Sequence, residues 1–94
     1  MINNLFGPSI HLIILDMFLE HPREMMNLRE VARRIDKNPG SISRVMPILV
    51  ENKFLTQVKV GKKMYVFKLN EENEYIKLII EFNEKLKEIE KKKE

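Results

Sequence analysis

The middle of this 94-residue chain, residues 27–69, most constrains the fold, because it contains two short helices in tandem followed by two strands. Asn27-Leu28-Arg29-Glu30 opens the first helix and Asn38-Pro39-Gly40-Ser41 opens the second, each with asparagine at the N-cap position. Residues 54–60 and 64–69 have the alternating, β-branched and aromatic composition of strands. A tight helix pair followed by a basic hairpin is how small proteins present one helix to the major groove of DNA and a wing beside it.

Helical patterns also flank this segment on both sides. Apolar residues from Ile10 to Phe18 recur at the spacing of a buried helical stripe, and His21-Pro22 should end that helix. Residues 71–94 predict one long helix after the hairpin. We therefore predict an α+β, mostly α fold, a winged helix-turn-helix with a three-helix core, a two-stranded β wing and a long C-terminal helix. Residues 1–70 would form the DNA-binding domain, and residues 71–94 an amphipathic dimerisation element.

Charge is unevenly distributed along the chain, which carries 17 Lys/Arg and 14 Asp/Glu for a net charge of +3. Residues 29–68 hold ten Lys/Arg against three Asp/Glu, whereas residues 71–94 hold six against eight. A basic body with a mildly acidic tail favours a nucleic-acid partner for the body and a different role for the tail. Ordinary solubilising charge is the alternative explanation.

Several classes of function lack the residues they require. Without cysteine the chain has no disulfide, thiolate metal site or thiol nucleophile. His11 and His21 are roughly 15 Å apart along a helix, too far to share one metal ion, and no phosphate-binding glycine loop or Ser/His/Asp grouping is present. The longest apolar run, Leu12 to Leu15, is too short to span a bilayer, and no signal segment opens the chain. We expect a cytoplasmic protein that is not an enzyme and has no metal, cofactor or membrane partner.

The outward arc of the third helix holds most of the candidate DNA contacts. This arc offers one cation, Arg44, which we expect to read a base edge such as guanine, while Ser41 and Ser43 contact bases or phosphates. Lys37 and the amino-terminal end of the helix would hold a phosphate, and the lysines at the tip of the wing would contact the DNA backbone or minor groove. The predicted DNA-binding residues are Lys37, Asn38, Ser41, Ser43, Arg44, Lys62 and Lys63.

The C-terminal helix carries a heptad seam, a set of apolar residues spaced alternately by four and three. Further apolar residues widen its first half only, so we expect that half to pack on the domain and the later half on a partner. Homodimerisation through this helix is the prediction, with docking onto its own domain as the alternative. Leu5-Phe6 and the first helix are further candidate contacts between protomers. The predicted seam residues are Tyr75, Ile79, Phe82, Leu86 and Ile89.

Five segments of the chain together resemble a known family: Leu5-Phe6-Gly7, Asn27 to Arg33, Pro39 to Arg44, Leu49 to Leu55 and Lys62 to Tyr65. They resemble winged helix-turn-helix transcriptional regulators of the small archaeal and bacterial ArsR/MarR-like kind, and the resemblance covers roughly residues 5–70. It implies that the helix matching residues 39–52 enters the major groove, that the basic wing, residues 58–66, lies on the adjacent backbone, and that terminal helices form a homodimer on double-stranded DNA. The sequence does not identify a small-molecule effector.

Pro47 departs from the pattern of this family. In mid-helix it has no N–H for the carbonyl of Ser43, at a cost on the order of 3 kcal/mol if the helix is undistorted, so we predict a kink or a break near residues 45–47. The arc is otherwise poor in charge and includes Ile48. This surface keeps two alternatives open: a winged-helix protein-interaction adaptor, and a weakly sequence-specific architectural chromatin protein.

Overall fold

The computed structural model describes Leu5 and residues 9–93, and these residues form the predicted winged helix-turn-helix fold. Phe6 and Gly7, part of the predicted contact and resemblance, lie outside the described residues. Over the described residues no helix is both long enough and apolar enough to cross a membrane. In chain order the elements are α1 (Ile10–Glu20), α2 (Leu28–Ile35), α3 (Pro39–Glu51), β1 (Leu55–Val60), β2 (Met64–Leu69) and α4 (Glu74–Lys93).

Side-chain caps set the start of these helices, as the sequence predicts for α2 and α3. The Asn27 side chain accepts from the Glu30 amide at 2.8 Å, and the Asn38 side chain accepts from the Gly40 amide at 2.7 Å. The Glu30 carboxylate binds Arg33 and Arg34, so of the two bonds of a capping box at Asn27 only the one from the Glu30 amide forms. Ser9 caps α1, and Asn73 caps α4.

The helix α3 runs unbroken through Pro47, so the expected break is absent. Val45 and Met46 before the proline are buried, and so is Leu49 after it. These side chains hold both halves of the helix against one core. Burial of such side chains contributes roughly 1.5–3 kcal/mol each, enough to offset the missing hydrogen bond. Tertiary packing thus overrides the local cost of proline.

The hairpin pairs β1 with β2 in antiparallel register, from Leu55 opposite Leu69 to Val60 opposite Met64. Gly61 takes a φ of 70° at the turn, a conformation that glycine adopts without strain. On the other side of β2, Met26 and Phe67 exchange two backbone hydrogen bonds of 2.8 and 2.9 Å. The bridge to Met26 therefore adds a third chain segment at the base of the wing.

The core lies between α1, α2, α3 and the hairpin, and α4 packs against it. Ile76 of α4 is fully buried, and Asn83 is 2 % exposed. One turn further on, the Lys87 ammonium lies 2.8 Å from a carboxylate oxygen of Glu20 on α1. Contact between α4 and the body therefore extends beyond the first half of this helix, further than the sequence predicts. The buried apolar residues are Ile14, Leu15, Phe18, Leu19, Met26, Val31, Ala32, Ile42, Val45, Met46, Leu49, Leu55, Phe67, Leu69 and Ile76.

Two asparagines connect the end of α3 to the start of α4. The carbonyl of Lys53, just after α3, accepts from the side-chain amides of Asn70 at 2.8 Å and Asn73 at 3.1 Å. The same Asn73 side chain caps α4 by accepting from the amides of Tyr75 and Ile76. One side chain therefore fixes the direction in which α4 leaves the body relative to α3.

Candidate nucleic-acid interface

A groove of about 830 Å³ separates α3 from the wing, and the start of α2 also lines it. We call it the α3–wing groove. Helical spacing places Ser43, Pro47 and Val50 on its α3 side, while alternation along the hairpin places Lys63 and Tyr65 on its wing side. The exposed face of α3 and the tip of the wing therefore border the same surface. The remaining lining residues are Asn27, Leu28, Arg29, Met46, Glu51, Gln57, Met64 and Phe67.

The predicted contact residues of α3 lie at its outward surface, with one at the margin. Ser43 and Arg44 are exposed, as is Pro47, whereas Ser41 is half-buried at the edge of the arc. The Ser43 hydroxyl donates to the carbonyl of Gly40 at 2.8 Å. In this rotamer Ser43 can accept a hydrogen bond from a base, but it must rotate before it can donate to a phosphate.

The backbone amides at the amino-terminal end of α3 already have hydrogen-bond partners within the chain. The Asn38 side chain accepts from the Gly40 amide, and the Asn38 carbonyl accepts from the amides of Ser41 and Ile42. Pro39, the first helical residue, has no N–H. A phosphate here would have to displace the Asn38 side chain from its cap or be held by the exposed Lys37 alone.

Four predicted cations are available for binding. Among the residues that the structure describes, the side chains of Lys37, Arg44, Lys62 and Lys63 form no ion pair. All four are exposed. Because no internal carboxylate neutralises them, each can release a counterion by contact with a phosphate.

The arginines at the end of α2 differ, because two carboxylates bind them. Arg33 lies 2.5 Å from Glu30, and Arg34 binds both Glu30 and Glu24. The hydrogen bond from Arg33 is the main cause that lowers the pKa of Glu30, and that from Arg34 is the main cause that lowers the pKa of Glu24. The pKa of Arg34 is raised, chiefly by its hydrogen bond to Glu24. The positive charge of Arg33 and Arg34 is therefore largely compensated, and the uncompensated positive charge of the domain lies on other residues.

The predicted seam of α4 divides between two faces of the helix. Ile79 and Leu86 are partly buried against the core. Tyr75 is 69 % exposed and Ile89 is 51 % exposed, and Phe82 is exposed as well. Leu78, which the seam did not include, is 64 % exposed on the same side. We call Tyr75, Leu78, Phe82 and Ile89 the α4 stripe.

Sequence reasoning missed the α3–wing groove and the position of Arg29 in its lining. The signal was present as the i, i+3, i+4, i+7 spacing of Ser43, Met46, Pro47 and Val50, which lines one side of α3. No local pattern shows that the wing lies opposite this side. Within residues 9–93 no three His, Asp or Glu residues come together as a metal-binding group.

Comparisons with known proteins agree with this geometry. Residues 11–59, just over half of the chain, match the model of the IclR helix-turn-helix domain. Among solved structures, reduced HlyU from Vibrio cholerae shares 18 % identity over 90 % of this chain and 83 % of its own, with a TM-score of 0.66. The MepR–DNA complex of Staphylococcus aureus shares 15 % identity over 97 % and 74 %, with a TM-score of 0.66. A possible transcriptional regulator from Methanosarcina mazei shares 18 % over 97 % and 83 %, with a TM-score of 0.62. At these identities the likeness is one of fold, and no curated protein sequence matches the chain.

Proposed function

Because this chain belongs to the family of IclR helix-turn-helix domains, it is a DNA-binding transcriptional regulator, and we propose that it binds DNA as a homodimer. The helix α3 enters the major groove, and the wing lies on the adjacent backbone. Arg44 reads a base edge, whereas Lys37, Lys62 and Lys63 neutralise phosphates. The ArsR/MarR-like subtype belongs to the same proposal, supported by the fold shared with HlyU, with MepR bound to DNA and with the possible transcriptional regulator from Methanosarcina mazei.

The observation that carries the proposal is the convergence of α3 and the wing on one groove. Ser43 of α3 and Lys63 of the wing both line the groove, so one DNA duplex can contact both elements. If about four to six phosphates are neutralised per protomer, the logarithm of affinity should fall against the logarithm of salt concentration with a slope of roughly −4 to −5.

The dimer is proposed to form through α4, with the α4 stripe at its centre. Residues 71–82 contain four Glu and one Lys, and residues 83–93 contain three Glu and five Lys. An antiparallel partner helix places the acidic half of one protomer beside the basic half of the other. The exposure of Tyr75, Leu78 and Ile89 supplies the apolar surface that such a contact needs.

Sedimentation velocity tests this dimer with a matched pair of variants. Leu78→Glu places a charge in the α4 stripe and should yield monomers. Lys77→Glu, on an exposed side of α4 outside the stripe, should leave the dimer intact. Equal sedimentation of wild type and Leu78→Glu at micromolar concentration would refute dimerisation through this face.

A protein-interaction adaptor is the second candidate function, and one observation favours it. Ile48, on the outward arc of α3, is 44 % exposed, and it lies beside the exposed ring of Pro47. An apolar patch on α3 can contact a protein partner as well as the methyl group of thymine. Salt-dependent DNA binding separates the two candidates, since an adaptor need not show it.

Fluorescence anisotropy of labelled random duplex DNA at two salt concentrations is the test. We expect micromolar binding that weakens steeply with salt and is lost in Lys62→Glu/Lys63→Glu. The matched control, Arg23→Glu/Lys77→Glu, makes the same charge change at two exposed positions outside α3, the wing and the α4 stripe, and should bind nearly as wild type. Absence of binding at low salt would refute the DNA role and favour the adaptor.

The division of labour between α3 and the wing has its own test. On sequences selected from a random pool, Arg44→Ala should lose preference for the selected sequence. Lys62→Ala/Lys63→Ala should instead lose affinity for all sequences alike. Equal losses on selected and random DNA for both variants would contradict the assignment, and sequence-independent, cooperative coating would favour the architectural alternative.

A further inference from the structure

We propose that the free edge of β1 pairs with the same edge of a second copy of this chain, so that two hairpins form one four-stranded antiparallel sheet. The two edges of the hairpin differ. That of β2 is partly occupied, since Met26 exchanges two backbone hydrogen bonds with Phe67. That of β1 has no such neighbour among the described residues. An unpaired edge is a template for another strand.

The hydrogen bonds at the base of the wing show which backbone groups of β1 point outwards. In an antiparallel ladder, pairs that exchange hydrogen bonds alternate with pairs whose N–H and C=O groups point away from each other. Phe67 directs its groups to the segment on its far side, so its partner Gln57 directs its own groups away from β2. The Asn70 amide donates to the carbonyl of Phe54 at 3.0 Å, which fixes the same alternation independently. Lys59, two residues beyond Gln57, therefore also points outwards.

We call the backbone groups of Gln57 and Lys59 the β1 edge, and they are open to a further strand. Both residues are exposed, and within the part of the chain that the structure describes no other segment forms a hydrogen bond with their backbone. The usual protections of an edge are missing, since residues 55–60 contain no proline and pair with β2 without a bulge. The ammonium group of Lys59 lies 6.0 Å from the centre of the Tyr65 ring, so it is drawn towards β2 and away from the edge.

Charge and burial select one register for a symmetric pair. With Val58 on the two-fold axis, Gln57 of each copy lies opposite Lys59 of the other, and each such pair exchanges two hydrogen bonds. Moving the axis to Lys59 would place two ammonium groups directly opposite each other, which is destabilising. Moving the axis to Gln57 would require Leu55 to pair, and Leu55 is only 2 % exposed. The register centred on Val58 therefore uses the accessible groups without a charge conflict.

A second copy suits this edge because the edge is complementary to itself. Two-fold symmetry repeats each favourable contact, and the two Val58 side chains meet in the closer kind of cross-strand pair. Val60, which is 48 % exposed, lies opposite Thr56 of the other copy and gains a further contact. Pairing through so few residues buries less than the roughly 1,000 Å² of a stable interface. The contact is therefore weak and forms at high local concentration.

Combined with the dimer through α4, the β1 edge gives each protomer two separate two-fold contacts. Protomers joined alternately through these contacts form an open row instead of a closed dimer. The row depends on the proposed function, whereas the contact between β1 edges does not.

Sedimentation equilibrium of the full chain tests the contact between about 10 μM and about 1 mM, the range of weak complexes. Leu78→Glu removes the contact through α4, so association that remains in this variant reports the β1 edge. We expect dimers at the highest concentrations. Adding Val58→Lys opposes two charges on the axis and should abolish these dimers. The matched control, Val66→Lys, makes the same change one strand away from the contact and should leave them intact.

A charge exchange keeps the test valid if a variant is poorly folded. An equimolar mixture of Val58→Lys and Val58→Glu, both with Leu78→Glu, places opposite charges on the axis and should restore dimers. A mixture that stays monomeric, or association unchanged by Val58→Lys, would refute the register. Absence of association in Leu78→Glu up to about 1 mM would overturn the second copy as the occupant and leave the edge to an extended segment of another protein. The proposed function is tested separately, because the α4 dimer and DNA binding are measured at micromolar concentration, where the β1 edge is unpaired.

Exchange of backbone amide protons with solvent, measured by nuclear magnetic resonance, locates the contact. The amides of Gln57 and Lys59 should exchange more slowly at high concentration, by about twofold when half of the chain is paired, because both donate to the second copy. The Tyr65 amide, which points to the opposite edge of the hairpin, is the internal control and should be unchanged. Slower exchange at Tyr65 with none at Gln57 would place the contact on the edge of β2 and overturn the proposal.

Discussion

Replacement of Asn73 by alanine should destabilise the protein by about 2 kcal/mol, twice the effect of removing an ordinary helix cap. The Asn73 side chain performs two tasks in the structure. Its oxygen accepts from the amides of Tyr75 and Ile76, and its nitrogen donates to the carbonyl of Lys53. Alanine removes both interactions and leaves the backbone of α4 free to fray.

The magnitude follows from treating the two tasks separately. Loss of an N-cap side chain typically costs about 1 kcal/mol. Loss of the bond to Lys53 adds about 1 kcal/mol, the usual net value of a hydrogen bond. The larger penalty of an unsatisfied acceptor does not apply, because Asn70 still donates to the same carbonyl at 2.8 Å. For a domain of this size about 2 kcal/mol lowers Tm by about 8–16 °C.

Asn27→Ala is the matched control, since Asn27 caps α2 with a single bond to Glu30 at 2.8 Å and has no side-chain bond to a distant element within the described residues. Urea denaturation at one fixed protein concentration measures both variants, because the proposed dimerisation would make stability depend on concentration. The expected difference is about 1 kcal/mol. A cost for Asn73→Ala no greater than that for Asn27→Ala would refute the connection between α3 and α4.

Three further changes test local features of the fold. Pro47→Ala should raise the free energy of unfolding by about 1–2 kcal/mol, because the helix is continuous there and the exposed ring adds little packing; a loss of stability in urea would contradict this. Gly61→Ala should cost about 1 kcal/mol, because φ is 70° while space around the new methyl group is open; an unchanged urea midpoint would show that the turn adapts. The hydrogen bond from Lys87 is the main cause that lowers the pKa of Glu20. The Glu20–Lys87 pair therefore stabilises the fold above the ordinary pKa of a glutamate, and this stabilisation is lost as the pH falls through the lowered value. In Lys87→Gln the urea midpoint should therefore fall less steeply than in wild type as the pH is lowered from about 6 to about 3. An equally steep fall in the variant and in wild type would contradict the pairing.

Local chemistry explains why much of the fold could be predicted from the sequence. Asparagine caps at Asn27 and Asn38, the boundary before Pro22 and the turn at Gly61 act over a few residues, and the structure confirms each of them. The strand β2 occupies the predicted residues, and β1 begins one residue later than predicted. At Pro47 the predicted break does not form, because contacts with distant parts of the chain hold the helix together.

Features that depend on the relative placement of elements were harder to predict. The apolar pattern of α4 could not assign its two faces, since Tyr75, which the predicted seam includes, is 69 % exposed, whereas Ile76, which it omits, is fully buried. Asn83 is polar and lies in the buried face, which a hydrophobic pattern excludes. The candidate DNA residues stay predictions from their types and positions, and the α3–wing groove emerges only when the hairpin is placed beside α3.

Because of the two hydrogen bonds between Met26 and Phe67, the base of the wing opens more slowly than its tip. They make its base three segments wide, whereas the stretch from Val60 to Met64 depends on hairpin pairing alone. Two-stranded hairpins are only marginally stable in water, so amide protons near Gly61 exchange through local fraying, and those at the base exchange only when the body opens. In the proposed complex the tip can therefore adjust to DNA grooves of different width on a timescale at which the core stays closed.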